Sequence, residues 1–332
     1  MLTKEILKKS DQFYKKKLAL LHKSFKLPEE LIISNIISAV KEKPFKLTRI
    51  INGESNEIYL AEFTNLNPLI IKISRSGNNF HKEQWIGIHA LEKFLPVARI
   101  TYITELTPDF TSIYLAIEDY LPGKALNQML IDNPQEDHFQ ELIISLGGLI
   151  SKFHEIELPK NNADLYNLNL KPSWTEFINQ GINEPKLTNL FKRLKLVEKY
   201  IPKLINLFSK YEEIYTTIKP ALLYGDFNPR NVLVADNKIT GLIDFENSMI
   251  GDPIYDLARW DYFYPFHGFE LNLILKGYTN FTQIRRDFDK KLHLYRLHLG
   301  ITFLDYFLTK DNKLGLRVAL DNLLEDLNYF DL

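Results

Sequence analysis

Beyond Leu121-Pro122-Gly123 this chain has mostly the three-and-four apolar spacing of helices, and Leu222–Ile243 breaks that pattern. Apolar β-formers there flank a polar loop twice. Leu222-Leu223-Tyr224 leads into Gly225-Asp226-Phe227-Asn228-Pro229-Arg230-Asn231, and Val232-Leu233-Val234 follows. Ile239-Thr240-Gly241-Leu242-Ile243 then runs into Asp244-Phe245-Glu246. The stretch predicts a short hairpin region set into a helical lobe, with a carboxylate at the end of a buried strand.

The part before Leu121 reads differently. Helices are predicted over residues 3–25 and 28–42, the second starting at Pro28-Glu29-Glu30 and closed by Pro44. Short runs rich in Ile, Tyr and Phe, bounded by Gly, Asn and Pro, predict strands over 45–51, 57–63 and 69–74. A helix over 80–95 and strands over 98–104 and 112–118 come next. This order predicts a small antiparallel sheet with one packed helix. Helical spacing resumes over 138–156, 188–217 and much of 281–330. At 332 residues the chain is long for one core. The expectation is an α+β protein with a helical extension over 1–44, a β-rich N-lobe over 45–118 and a larger, mainly helical C-lobe over 119–332. Ligand sites favour clefts between such lobes.

The loop after Leu223 carries one carboxylate and, five positions on, one amide. Phosphoryl transfer from ATP needs a group that orients a nucleophilic hydroxyl and others that hold metal against the phosphates. Asp226 suits the first task. Asn231 can offer its carbonyl oxygen to magnesium, a hard cation that prefers oxygen. The same Asp-x-x-x-x-Asn spacing occurs in the protein-kinase catalytic loop. Taken alone, Gly, Asp, Asn and Pro also make an ordinary turn. Asp244, thirteen residues after Asn231, supplies a second carboxylate at a strand end and turns the balance toward chemistry, with Glu246 as a supporting or second metal group. In Gly251-Asp252-Pro253-Ile254-Tyr255-Asp256-Leu257-Ala258, Asp252 before Pro253 predicts a helix start. Asp256, one turn inside, is placed to brace the loop through backbone N–H groups, so both are read as structural support.

Together, Asp226 to Asn231, Asp244-Phe245-Glu246 and Gly251-Asp252-Pro253-x-x-Asp256-Leu257-Ala258 resemble the aminoglycoside-phosphotransferase and choline-kinase superfamily in order and spacing. The resemblance covers residues 48–262 and implies a bilobal protein-kinase-like fold with residues 45–118 binding nucleotide. It makes Asp226 the catalytic aspartate and Asn231 and Asp244 the magnesium ligands. It also places Ser55, in Asn52-Gly53-Glu54-Ser55-Asn56, over the β-phosphate, and Lys72 on the third strand at the phosphates. Glu83 on the next helix would pair with Lys72, with Glu92 as a rival; a lysine reaching into water is the plain alternative. The backbone at Glu118 and Tyr120 would meet the nucleobase edge. His154 reads as a packed core residue. Two departures stand out: family members commonly carry His-Gly-Asp-x-His, whereas Tyr224 and Asn228 stand here.

Other classes are disfavoured. A net charge of −1 lacks the basic excess of a general nucleic-acid binder. The chain has no cysteine, which rules out disulfides and thiolate metal sites and is compatible with the cytoplasm. The longest apolar runs, such as Leu31–Val40, fall short of the roughly 20 residues that span a bilayer. A protein kinase is disfavoured because Asp-Phe-Glu replaces Asp-Phe-Gly and Gly251 follows Asp244 by only seven residues. A catalytically silent nucleotide-binding module acting through partners is the alternative that Tyr224 and Asn228 keep open. The leading expectation is magnesium-dependent transfer of the γ-phosphoryl group of ATP or GTP to a small-molecule hydroxyl. Asp256, Asp261, Glu270, Glu325 and Asp326 are candidate contacts for a cationic acceptor such as an aminoglycoside, and Trp174 and Trp260 candidate pocket walls.

Overall fold

The computed structural model describes residues 8–9, 12–13, 15–18, 27–51, 56–75, 77, 79–106, 112–132, 138–170, 173–196 and 198–332. The helix expected over 3–25 lies mostly outside them. The chain divides into two compact units, one of Asp11–Ala125 with Val232–Glu246, the other of Met1–Ser10, Leu126–Asn231 and Asn247–Leu332. The hairpin Val232–Glu246, expected as part of the helical C-lobe, thus groups with the N-terminal sheet.

In the sheet unit, β1 (Lys46–Ile50), β2 (Asn56–Glu62), β3 (Leu69–Ser74), β4 (Ile100–Leu106) and β5 (Ile113–Asp119) form one antiparallel sheet in the order β1-β2-β3-β5-β4. Alternation decides what each face does. Tyr59, Ala61, Ile71, Ile73, Leu115 and Ile117 pack together on one face, where Leu27, Ile32 and Ile36 cover them. Ile32 and Ile36 belong to helix Glu29–Val40, whose Glu29 and Glu30 sit favourably at its N-terminus and which ends on left-handed Lys41. Each such buried side chain is worth about 1.5–3 kcal/mol. Residues 27–40, expected as part of a separate extension, therefore complete the sheet's own core. The opposite face carries Lys72 and Ala116, and helix Phe80–Glu92 lies on it through Phe80, packed with Ile100 and Ala116.

A second, three-stranded sheet in this unit has the order β6-β8-β9, from Lys124–Ala125, Val232–Ala235 and Lys238–Leu242. Asp236 and Asn237 join β8 to β9 with φ of 48° and 56°, the left-handed pair a two-residue hairpin turn requires.

In the helical unit, β7 (Ala221–Leu223) pairs with β10 (Met249–Gly251) among helices including His138–Phe153, Ile254–Tyr262, Phe288–Thr309 and Lys313–Tyr329. The helix expected over 188–217 is three helices, Glu184–Leu194, Tyr200–Lys210 and Glu212–Thr216. Left-handed Lys195 closes the first, and Pro202, which lacks an N–H to donate, falls in the first turn of the second. Residues 281–330 break likewise at left-handed Asp287 and Asp311. Among the described residues, no helix is long and apolar enough to cross a membrane.

Candidate active site

The loop that follows β7 is held from beneath. Gly225 has φ +78°, and a Cβ there would lie 2.0 Å from the carbonyl oxygen of Asn247, so only glycine fits. The Tyr224 and Gly225 amides donate to the two oxygens of Asp256 at 2.6 and 3.0 Å. Asp256 is fully buried and also meets His154 Nε2 at 3.0 Å; His154 Nδ1 lies 2.7 Å from the Tyr278 hydroxyl. Where the family commonly has histidine, the Tyr224 hydroxyl donates to the Asn231 carbonyl at 3.2 Å. Asp252 accepts from the Ile254 amide at 3.0 Å, from Lys291 at 2.6 Å and from the Tyr295 hydroxyl at 2.9 Å, tying the start of helix Ile254–Tyr262 to helix Phe288–Thr309. Asp256→Ala leaves two buried N–H groups without acceptors, each costing about 1–3 kcal/mol. A stability loss of about 3 kcal/mol is expected in urea unfolding.

Asp226 and Asn231 meet in this loop. Asn231, at the end of the 3-10 turn Pro229–Asn231, donates Nδ2 to Asp226 Oδ2 at 3.0 Å and to the Asp226 carbonyl at 2.9 Å. Its amide nitrogen is thus committed, and its remaining polar atom is an oxygen. Asn228 donates Nδ2 to Asp226 Oδ1 at 2.9 Å. The third donor on the carboxylate is Arg259, whose Nη2 bonds Asp226 Oδ1. Sequence reasoning missed Arg259. The signal was its place three residues after Asp256 on one helix, which puts both on the side facing the loop.

In the sheet unit, Lys72 sits on β3 opposite Ile58 and Ala116. Its Nζ is 3.0 Å from Glu83 Oε2 and 3.1 Å from Glu118 Oε2, and all three side chains are about nine-tenths buried or more. Of the two carboxylates weighed as its partner, Glu83 makes the pair and Glu92 is exposed. Burial would lower the Lys72 ammonium, but the charges of Glu118, Glu83 and Asp244 outweigh it and hold the group well above the usual lysine range. Burial raises the Glu118 carboxyl, Lys72 offsets part of that, and the charge of Glu83 adds to it. One ammonium shared by two buried carboxylates accounts for both directions.

The place of Glu118 differs from the expectation that its backbone meets a nucleobase. It lies in β5, paired across to Ile70 on one side and Ile100 on the other, and it acts through its side chain. Tyr120 follows the strand and is exposed. Ser55 lies outside the described residues. Asp244, with φ +70°, comes two residues after β9. The β8–β9 hairpin pairs Val232 with Leu242, and Asp244 follows that pair by two residues. Glu246 accepts from Asn56 Nδ2 at 3.4 Å, and its carbonyl accepts from the buried Lys82, next to Glu83.

Asn231 offers an amide oxygen in the helical unit, and Asp244 and Glu246 offer carboxylates in the sheet unit, the donor types that a hard cation takes. The donor set has no cysteine sulfur, and among the described residues no group of three or more His, Cys, Asp or Glu is placed to hold a metal ion by itself. Such a sparse oxygen set fits magnesium, which keeps water or phosphate oxygens for most of its positions.

Four of the five acidic groups considered for a cationic acceptor are engaged internally. Asp256 clamps the loop, while Asp261, Glu325 and Asp326 surround the Arg296 guanidinium. Glu270 lines a cavity of about 550 Å³ together with Asp261, Tyr264, Phe281 and Asp289. Trp174 and Trp260 are buried core residues.

A model of the phosphotransferase enzyme family matches residues 46–283. No curated protein matches the chain significantly by sequence. Among solved structures, the fold is similar to aminoglycoside phosphotransferase APH(4)-Ia, at 16% identity over 90% of this chain and 97% of that one, with a TM-score of 0.66. A thermostable mutant of that enzyme, in ternary complex with AMP-PNP and hygromycin B, matches at 15% identity over 90% and 97%, TM-score 0.63. The GDP and kanamycin complex of APH(2")-IIia matches at 16% identity over 89% and 98%, TM-score 0.59. These likenesses show an α+β, kinase-like fold, and the family match over most of the chain carries the rest: the chain belongs to the phosphotransferase enzyme family.

Proposed function

We propose that the chain transfers the γ-phosphoryl group of ATP or GTP to a hydroxyl of a small molecule with the help of Mg2+. The observation that carries this reading is the Asp226–Asn231 pair, which leaves a carboxylate and an amide oxygen at the mouth of a clamped loop. Structural relatives that bind AMP-PNP or GDP support a nucleoside triphosphate as donor.

Asp226 orients the acceptor hydroxyl and takes its proton as the oxygen bonds to the γ-phosphorus. The bond to the β–γ bridging oxygen breaks, and the nucleoside diphosphate leaves. Lys72, held by Glu83, meets the phosphate oxygens, and the family resemblance assigns Ser55 to the β-phosphate. Asn231 and Asp244, with Glu246, would hold the magnesium ion, which supplies neutralisation of the charge that builds on the transferring group. No covalent enzyme intermediate is needed, because positioning and electrostatics carry the rate.

The test is a phosphotransfer screen with ATP and with GTP across aminoglycosides, amino alcohols, hydroxy amino acids and sugars. Turnover is expected with at least one class and is expected to vanish with EDTA and return with added Mg2+. Nucleotide binding without any transfer or hydrolysis would favour the silent module instead.

A further inference from the structure

The carboxylate of Asp226 is not evenly occupied. Oδ1 receives two donors, Asn228 Nδ2 and Arg259 Nη2, whereas Oδ2 receives only Asn231 Nδ2. A carboxylate oxygen has about two good acceptor directions. Oδ1 is therefore filled, and Oδ2 keeps one direction open.

Arg259 is itself fixed. Its guanidinium carbon lies 5.4 Å from the centre of the Phe263 ring and 5.0 Å from that of Phe303, within the range of cation–π attraction. The same guanidinium presents Nη2 to Asp226. Asn228, the other donor on Oδ1, is a neutral amide at the position where the family commonly has histidine, so Arg259 brings the cation on that side of the carboxylate.

We propose that Arg259 is the positioning residue for Asp226: with Asn228 it fills Oδ1, fixes the rotation of the carboxylate, and so makes Oδ2 the atom that receives the acceptor hydroxyl. The proposal rests on the reading of Asp226 as the group that orients the nucleophile. It adds that Arg259 acts through Asp226 and not on the nucleotide.

The test is a double-mutant cycle on the full chain, with water as the acceptor, following nucleoside diphosphate release from Mg·ATP. Arg259→Ala is expected to lower kcat about 100-fold, the size of effect that follows a misplacement of about 1 Å, with the KM for ATP unchanged. Millimolar guanidinium should restore part of that loss. Arg259→Lys, which keeps the charge but not the planar fork, should retain intermediate activity even if the alanine variant folds poorly. In an Asp226→Asn background, Arg259→Ala should cost less than about twofold more, because the partner it positions has lost its function. Losses that multiply in the double variant, or an Arg259→Ala effect confined to the KM for ATP, overturn the proposal and leave the role of Asp226 intact. Unimpaired turnover by Asp226→Asn alone overturns the underlying reading, and the proposal with it.

Discussion

Asp226→Asn is expected to reduce phosphotransfer turnover by about 10³-fold, within the 10²–10⁴ range for loss of a positioned proton acceptor. The amide has the shape of the carboxylate and can keep its oxygen toward Asn228 and Arg259, losing only the bond from Asn231 Nδ2, while Asp256 still clamps the loop. It cannot take the proton of an acceptor hydroxyl. Nucleotide affinity should change little, because Lys72, Glu83 and Asp244 belong to the sheet unit and do not depend on the Asp226 charge. Steady-state kinetics and binding of a fluorescent nucleotide separate the two effects, and a variant with weakened binding but normal turnover would assign Asp226 to the wrong step.

Lys72→Met should injure both stability and activity. Removing the ammonium leaves Glu83 and Glu118 buried with no counter-charge, a change that costs about 3–5 kcal/mol when a buried pair is broken. The pH dependence has a definite sign. Glu118 has a folded-state carboxyl above its ordinary value of 4.5, so its contribution to stability is full below that value and is lost as pH rises through the folded one. The Lys72→Met deficit should therefore be largest near neutral pH and shrink toward pH 4.5. Adding Glu118→Gln should recover part of it by removing one of the stranded charges. Turnover should fall about 100-fold or more in either background, since the proposed phosphate contact of Lys72 is gone. Urea unfolding across pH, paired with kinetics, checks both; a deficit that grows on acidification would contradict this account of the buried trio.

Much of this was legible in the sequence because it depends on local pattern. Strand periodicity located β1 to β5 within about two residues, and alternation along β3 sets Lys72 on the face away from Ile71 and Ile73. The family resemblance, set against the rival Glu92, chose Glu83 as its partner. The gly-Asp loop and the helix start at Asp252 carry turn and cap chemistry that reads directly. What was not legible depends on register and on contacts between distant segments. Whether Glu118 points its side chain or only its backbone at the site follows from the pairing of β5 with β3, opposite Ile70, which no local pattern dictates. Helix Glu29–Val40 looked separable because its apolar stripe says that it is buried but not against what. Arg259 shares the helix face of Asp256, but its bond to Asp226 is a contact between segments 33 residues apart. The break at Lys195 carries no glycine, and Pro202 in the first turn of the next helix is the local mark of it.

The central claim is that Asn231 and Asp244 give oxygen to one divalent ion shared with the nucleotide. Electron paramagnetic resonance titration of Mn2+ in the presence of AMP-PNP tests it directly, on the wild type and on Asn231→Ala and Asp244→Ala. One tight ion per chain is expected in the wild type, with clear weakening in each variant. Equal Mn2+ affinity in all three proteins would contradict the claim.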